Sequence, residues 1–329
     1  MKKTILTGVK STGIPHVGNY FGSFKPSIEG AKAANMRSFL FIADYHALTT
    51  VKCAAEMKEN VNEIACTWLA CGLDLKKTAF YRQSDVPQIF ELAIILSNVT
   101  PKGLMNRSHA YKAVVQDAVD AGKDPDVDVN MGLFCYPILM SADILAFDTN
   151  FVPVGQDQKQ HVEIAQAIAR SFNAIYGSVL VVPEPKITKD QATIPGLDGR
   201  KMSKSYGNQI PMFAPEGELK KYIMKIVTDS SLPTDPKSTD CVIFDLYKLF
   251  ATDDEVHVMK SKFENGIGWG EVKNELFRVA NRTLTPLREK YNYFKSNPEI
   301  VEQLLQDGAK KARKVAQKTL DRIRKSIMG

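Results

Sequence analysis

The sequence predicts an α/β protein: a parallel sheet covered on both faces by helices, followed by a smaller all-helical region. Three observations carry this. Short apolar runs alternate with longer amphipathic ones through the first half of the chain. A Pro/Gly-rich stretch at 183–199 interrupts the alternation. Beyond about Asn208 the apolar spacing becomes helical.

Taken in order, the expected strands are 4–9, 39–44, 78–82, 151–154 and 179–182. Each is a short, nearly continuous apolar run, as strands buried on both faces are. Helices are expected between them, at 54–71 and 158–176. In such sheets ligands sit beyond the carboxyl ends of the strands, so the segments after each strand are the places to look. In the later region Ile243, Leu246, Tyr247 and Phe250 fall at i, i+3, i+4 and i+7, one helix face. Asn297-Pro298 reads as an N-cap followed by proline at the first helical position. The helix it opens carries Ala312, Val315, Ala316, Thr319, Ile323 and Ile327 on one side. The division is therefore 1–207 for the sheet domain and 208–297 for the helical one, with a last helix at about 298–329.

The bulk properties exclude several classes. In 329 residues, 44% hydrophobic and 24% charged, no apolar run of about 18 residues occurs, so no membrane span is expected. The opening Met1-Lys2-Lys3 and the apolar residues after it are too short for a leader and read as a first strand, which places the protein in the cytoplasm. Cys53, Cys66, Cys71, Cys135 and Cys241 form no Cys-x-x-Cys pair. They read as buried free thiols, neither a disulfide framework nor a zinc site. The net charge of +6 suits a polyanionic partner without requiring one. Lys310, Lys311, Arg313, Lys314, Lys318, Arg322, Arg324 and Lys325 stand against Asp321 alone; such a run reads first as a solvated helix face.

Two segments carry chemistry. Directly after strand one comes Thr12-Gly13-Ile14-Pro15-His16-Val17-Gly18-Asn19. Its glycines permit a turn and close approach by a ligand. A helix starting near Val17 would turn its free N–H groups toward a phosphate, with His16 and Asn19 at its mouth. The second is Lys201-Met202-Ser203-Lys204-Ser205, beside Gly199. Two lysines around small hydroxyl residues suit a triphosphate, because they can meet the charge that builds on departing pyrophosphate.

In this order, with a strand–helix core between, the two segments resemble the HIGH and KMSKS signatures of class I aminoacyl-tRNA synthetases. HIGH stands here as His16-Val17-Gly18-Asn19, and KMSKS is complete. The runs Tyr136-Pro137-Ile138-Leu139-Met140-Ser141-Ala142-Asp143-Ile144-Leu145 and Val152-Pro153-Val154-Gly155-Gln156-Asp157-Gln158-Lys159-Gln160-His161 are similar to the tryptophanyl branch of that family, as are Ile5-Leu6-Thr7-Gly8-Val9 and Asp44-Tyr45-His46-Ala47. The resemblance covers nearly the whole chain and is strongest through residue 206.

The resemblance implies a Rossmann-like domain that activates L-tryptophan with ATP and passes it to tRNA(Trp). It implies that Asp143 accepts the indole N–H, a choice that rejects side chains lacking that donor because the carboxylate would be left unpaired. Leu6, Gly8, His46, Tyr136, Met140, Val152 and Val154 are implied around the indole, and Gln158 and Tyr136 near the ammonium group. For ATP it implies Lys10, Thr12, Gly18 under adenine, His16 and Asn19 toward the phosphates, Gly155 and Asp157 near the ribose, and Met202, Ser203, Lys201 and Lys204 on the lysine loop. His16, Asn19, Lys201 and Lys204 are the expected catalytic residues. Magnesium is expected only as ATP's companion, with no dedicated site. An anticodon-binding role for 208–297, a last helix packed back on the first domain with its basic residues toward tRNA phosphates, and a homodimer complete the expectation. The chain departs from the best-known bacterial members at Lys10, at Leu6 and at Arg107-Ser108-His109-Ala110-Tyr111-Lys112, where Lys112 or Arg107 would replace an active-site lysine. The competing readings are a tyrosyl-tRNA synthetase, a nucleotidyltransferase outside translation, and an inactive tRNA-binding paralogue.

Overall fold

The computed structural model describes residues 2–10, 15–31, 36–187 and 194–329, and of Asp157 only the backbone. Five strands, β1 (Lys3–Val9), β2 (Met36–Ile42), β3 (Thr78–Arg82), β4 (Phe151–Val154) and β5 (Glu184–Ile187), form one parallel sheet in the order β3-β2-β1-β4-β5. The order reverses between β1 and β4. The crevice for a ligand therefore opens beyond the ends of those two strands.

Alternation along the strands divides the interior. Leu6, Phe39, Phe41 and Tyr81 face one core, shared with the helices Gln88–Ser97, Met131–Leu145 and Lys159–Tyr176. Leu40, Ile42 and Phe80 face the other, shared with Ile64 and Trp68 of the helix Ala54–Ala70. A third core is built from the later helices, and Ile243, Leu246, Tyr247 and Phe250 lie in it as their spacing predicts. Val17 and Met202, one from each signature segment, are keyed into this same core.

The first four strands lie where the apolar runs put them, except that β2 starts three residues earlier than expected, at Met36, and ends two earlier, at Ile42. The fifth does not. The run 179–182 is not a strand, because the Asn173 side chain occupies its backbone: Asn173 Oδ1 accepts from Val179 N at 3.1 Å and Leu180 N at 2.8 Å, and Nδ2 donates to Leu180 O at 2.8 Å. The pairing passes to Glu184–Ile187, an edge strand that tolerates Pro185.

The last helix, Pro298–Met328, lies on β3. Gly308 makes this possible: a Cβ there would sit 1.7 Å from Phe80 O. Ala312, Ala316, Thr319 and Ile323 are buried beneath it. Pro298 stands at the first helical position, but Asn297 does not cap, because its Nδ2 donates back to Tyr293 O. The basic run also differs from a plain solvated face. Arg313 donates to Asp85 O, Lys311 to Leu75 O, Arg322 pairs with Asp148, and Arg324 grips both oxygens of Glu91 at 2.7 and 2.6 Å. These partners come from distant parts of the chain and staple the helix to the sheet domain. The cysteines are free thiols, but only Cys66 is buried; Cys53 is exposed and the others are half-buried. Among the described residues no helix is long and apolar enough to cross a membrane.

Candidate active site

His16 caps the single helical turn Val17–Asn19. Its Nδ1 accepts from Asn19 N at 3.3 Å, while Asn19 Oδ1 accepts from His16 N at 3.0 Å. Each side chain thus holds the other's backbone, a reciprocal capping box. Burial, and secondly the charge on Lys204, lower the His16 pKa to about 4. The ring is neutral at physiological pH. With Nδ1 accepting, the proton resides on Nε2.

The backbone N–H groups of this turn do not await a phosphate. Val17 N donates to Ile210 O at 2.9 Å, Gly18 N to Met202 Sδ at 3.2 Å, and Asn19 N to His16. The expectation that they face a ligand is corrected: Val17 N and Gly18 N lock the turn onto Ile210 and onto Met202 of the lysine loop, and Asn19 N closes the cap on His16.

The lysine loop meets the turn directly. Met202 is buried, with its N–H donating to Ile194 O at 2.9 Å and its Cβ facing Gly18. That N–H is therefore engaged within the protein. Lys201 is exposed. Lys204 opens the short 3-10 turn Lys204–Tyr206, and partial burial lowers its pKa. Ser203 Oγ accepts from Ser205 N at 3.3 Å. Asn208, buried and absent from the expected set, holds the loop together. Its Oδ1 accepts from Ser203 N at 2.9 Å; its Nδ2 donates to Asp198 at 2.6 Å and to Lys201 O at 3.2 Å. Gly196 is bare because a Cβ would meet the Asn208 amide at 2.3 Å.

A cavity of about 990 Å³ opens at the crevice. It is lined by every residue of the expected tryptophan set: Leu6, Gly8, His46, Tyr136, Met140, Asp143, Val152, Val154 and Gln158. Lys10 and Gly155 of the ATP set line it too, whereas His16, Gly18, Asn19 and residues 201–204 stand outside its lining. Thr12 lies outside the described residues. The geometry is local in origin. Tyr136, Met140 and Asp143 recur at i, i+4 and i+7 on the helix Met131–Leu145 and so share a face. Val152 and Val154 are two apart on β4.

Two polar clusters face this cavity. Asp143 is fully buried; its Oδ2 lies 2.9 Å from His46 Nε2, and Gln83 Nε2 lies 2.9 Å from both of its oxygens. Burial raises the Asp143 pKa, opposed by His46 and Gln83. In the second cluster Tyr136 shares its hydroxyl with His161 Nε2, and His161 Nδ1 meets Gln158 Oε1 at 2.7 Å. Gln83, His161 and Asn208 were not expected from the sequence. Gln83 directly follows β3, so the strand-end rule was the available signal. His161 closes a run already recognised, and Asn208 lies just past the assumed boundary. Of the cations proposed to replace a family lysine, neither Arg107 nor Lys112 lines the cavity; Lys186 of β5 does.

A parallel sheet with this switch point, a histidine-capped first turn and a lysine loop locked to it defines a class I aminoacyl-tRNA synthetase. The family described as tRNA synthetases class I (W and Y) matches residues 2–285, and the chain belongs to it. Among its relatives, the tryptophan–tRNA ligase of Bordetella parapertussis is 48% identical over 99% of this chain and 73% of its own length. That of Neisseria meningitidis serogroup A is 46% identical over 99% of this chain and 98% of its own. A solved tryptophanyl-tRNA synthetase from Campylobacter jejuni, complexed with ADP and tryptophan, superposes with a TM-score of 0.89 at 42% identity, covering 98% of this chain and 99% of that one.

Proposed function

We infer that this enzyme is a tryptophan–tRNA ligase, and that the cavity holds its amino acid. The observation that carries the reading is the buried Asp143 carboxylate at the wall of a mostly apolar cavity, on one helix face with Tyr136 and Met140. A buried carboxylate acceptor in such surroundings favours a large apolar side chain bearing an N–H. Tyr136 and Gln158 serve the ammonium group, while Leu6, Gly8, His46, Met140, Val152 and Val154 surround the ring.

The reaction has two steps. A tryptophan carboxylate oxygen attacks the α-phosphorus of ATP, the bond to the bridging oxygen breaks, and pyrophosphate leaves with the electron pair. The terminal ribose hydroxyl of tRNA then attacks the activated carbonyl and AMP departs. No protein nucleophile is needed; positioning and charge stabilisation suffice. Lys201 and Lys204 meet the charge on the leaving pyrophosphate. His16, neutral with its proton on Nε2, donates a hydrogen bond without adding charge, and Asn19 stands beside it. Lys10, Thr12, Gly18, Gly155, Asp157, Met202 and Ser203 complete the ATP side. Among the described residues no group of three or more His, Cys, Asp and Glu side chains is gathered to hold a metal ion; magnesium enters this reading as the counter-ion of ATP.

Residues 208–297 read the anticodon, the enzyme works as a homodimer, and its place is the cytoplasm. The first two readings rest on the family resemblance and the third on the sequence reading of the opening residues as a strand. Charging of tRNA(Trp) with labelled tryptophan tests the function. Charging with tyrosine instead would make the chain a tyrosyl enzyme, and no charging with either would leave a tRNA-binding paralogue.

A further inference from the structure

We propose that Gln83 determines specificity for the indole N–H by holding the Asp143 carboxylate as an acceptor with one direction left open. The proposal rests on the reading of Asp143 given above. Gln83 sits in the 3-10 turn Gln83–Asp85 that ends β3, is fully buried, and does not line the cavity. Its amide nitrogen lies 2.9 Å from Oδ1 and 2.9 Å from Oδ2 of Asp143. The amide can face the carboxylate only in this sense, since its own oxygen would otherwise meet two acceptors.

A carboxylate accepts in roughly four directions. Gln83 spans one on each oxygen, and His46 takes another on Oδ2. The direction that remains belongs to Oδ1, on the residue that faces the cavity. Burial pushes Asp143 toward its neutral form, and the Asp44 charge adds to this. A neutral acid would place an O–H at the wall and present a donor where the indole N–H needs an acceptor. Gln83 and His46 oppose that by favouring the charged form.

The cost of the arrangement is visible. Gln83 Oε1 is buried and has no hydrogen-bond partner. An apolar residue of the same size would avoid this unpaired carbonyl, but would strip from Asp143 the amide donor that its two oxygens share. Gln83 is thus a positioning residue that touches no substrate itself.

The test compares tryptophan with β-(benzothiophen-3-yl)alanine, in which sulfur replaces the N–H. Dissociation constants for both, and for ATP, are measured on the unaltered enzyme, Gln83→Met and Gln83→Glu. The unaltered enzyme prefers tryptophan. Both variants are expected to lower that preference at least about tenfold, the worth of a hydrogen bond to a charged group, with ATP affinity unchanged. Glutamate fills the same space but shares a proton with Asp143, so mere space-filling predicts that it keeps the preference. An unaltered enzyme that does not discriminate would sink the Asp143 reading. Discrimination that survives in both variants overturns the Gln83 proposal and leaves Asp143 standing. If neither variant binds ATP, the Gln83 side-chain amide resonances of the unaltered enzyme decide. They should shift with tryptophan and not with the sulfur analogue, and an equal response to both overturns the proposal.

Discussion

Replacing Gly18 with alanine should slow amino-acid activation while sparing tryptophan binding. The added Cβ would lie 2.9 Å from His16 Nδ1, 3.0 Å from His16 Cε1 and 3.3 Å from Met202 Cβ. Comfortable carbon contacts begin near 3.5 Å, so the His16 ring must shift by about half an ångström within the turn and Met202 of the loop by about two tenths. Neither yields easily. His16 is held by Asn19 N, and Met202 is buried with its N–H committed to Ile194 O. Overpacking of this kind costs about 1–3 kcal/mol. Borne by the joint between the two signature segments, that corresponds to a roughly 5- to 150-fold loss of rate. The cavity is lined by other residues, so the tryptophan dissociation constant should hold. Tryptophan-dependent pyrophosphate exchange and calorimetric titration measure the two quantities. An unchanged exchange rate, or an equal loss in tryptophan affinity, would refute the idea that contact between turn and loop organises the ATP site.

Replacing both Lys201 and Lys204 with alanine should lower adenylate formation by roughly a hundredfold or more, far beyond any change in tryptophan affinity; equal losses in single-turnover rate and in affinity would remove the transition-state role. His16 sets a pH dependence of stability. Its folded pKa of about 4 lies below the ordinary 6.5, so the unfolded chain binds more protons between those values. Stability should therefore fall as pH drops from about 6.5 to about 4, by at most about 3 kcal/mol. Urea titrations of the unaltered protein and His16→Asn should show this component only in the former. Gly308→Ala should destabilise the fold by several kcal/mol or prevent folding, because its Cβ would fall 1.7 Å from Phe80 O; a melting temperature within a degree of the parent would contradict the close seating of the last helix.

Apolar runs exposed four strands because a parallel sheet buried on both faces must be apolar throughout. They misled at 179–182, where one nearby amide, that of Asn173 at the end of the preceding helix, takes the backbone groups a ladder would use. The true edge strand, Glu184–Ile187, is too polar to announce itself. The site was readable where residues line the cavity, since helical or strand spacing gathers them. It was unreadable where residues act through others. Gln83 behind Asp143 and Asn208 behind the lysine loop work through contacts across 60 residues and across the assumed boundary. Arg324 and Glu91, separated by 233 residues, likewise left no local mark.

The most direct measurement is pyrophosphate exchange into ATP, assayed with each of the twenty amino acids in turn on the unaltered protein. Exchange with tryptophan and essentially none with phenylalanine or tyrosine is the predicted result. Exchange driven by tyrosine, or none with any amino acid, would contradict the assignment of the cavity and of the two segments beside it.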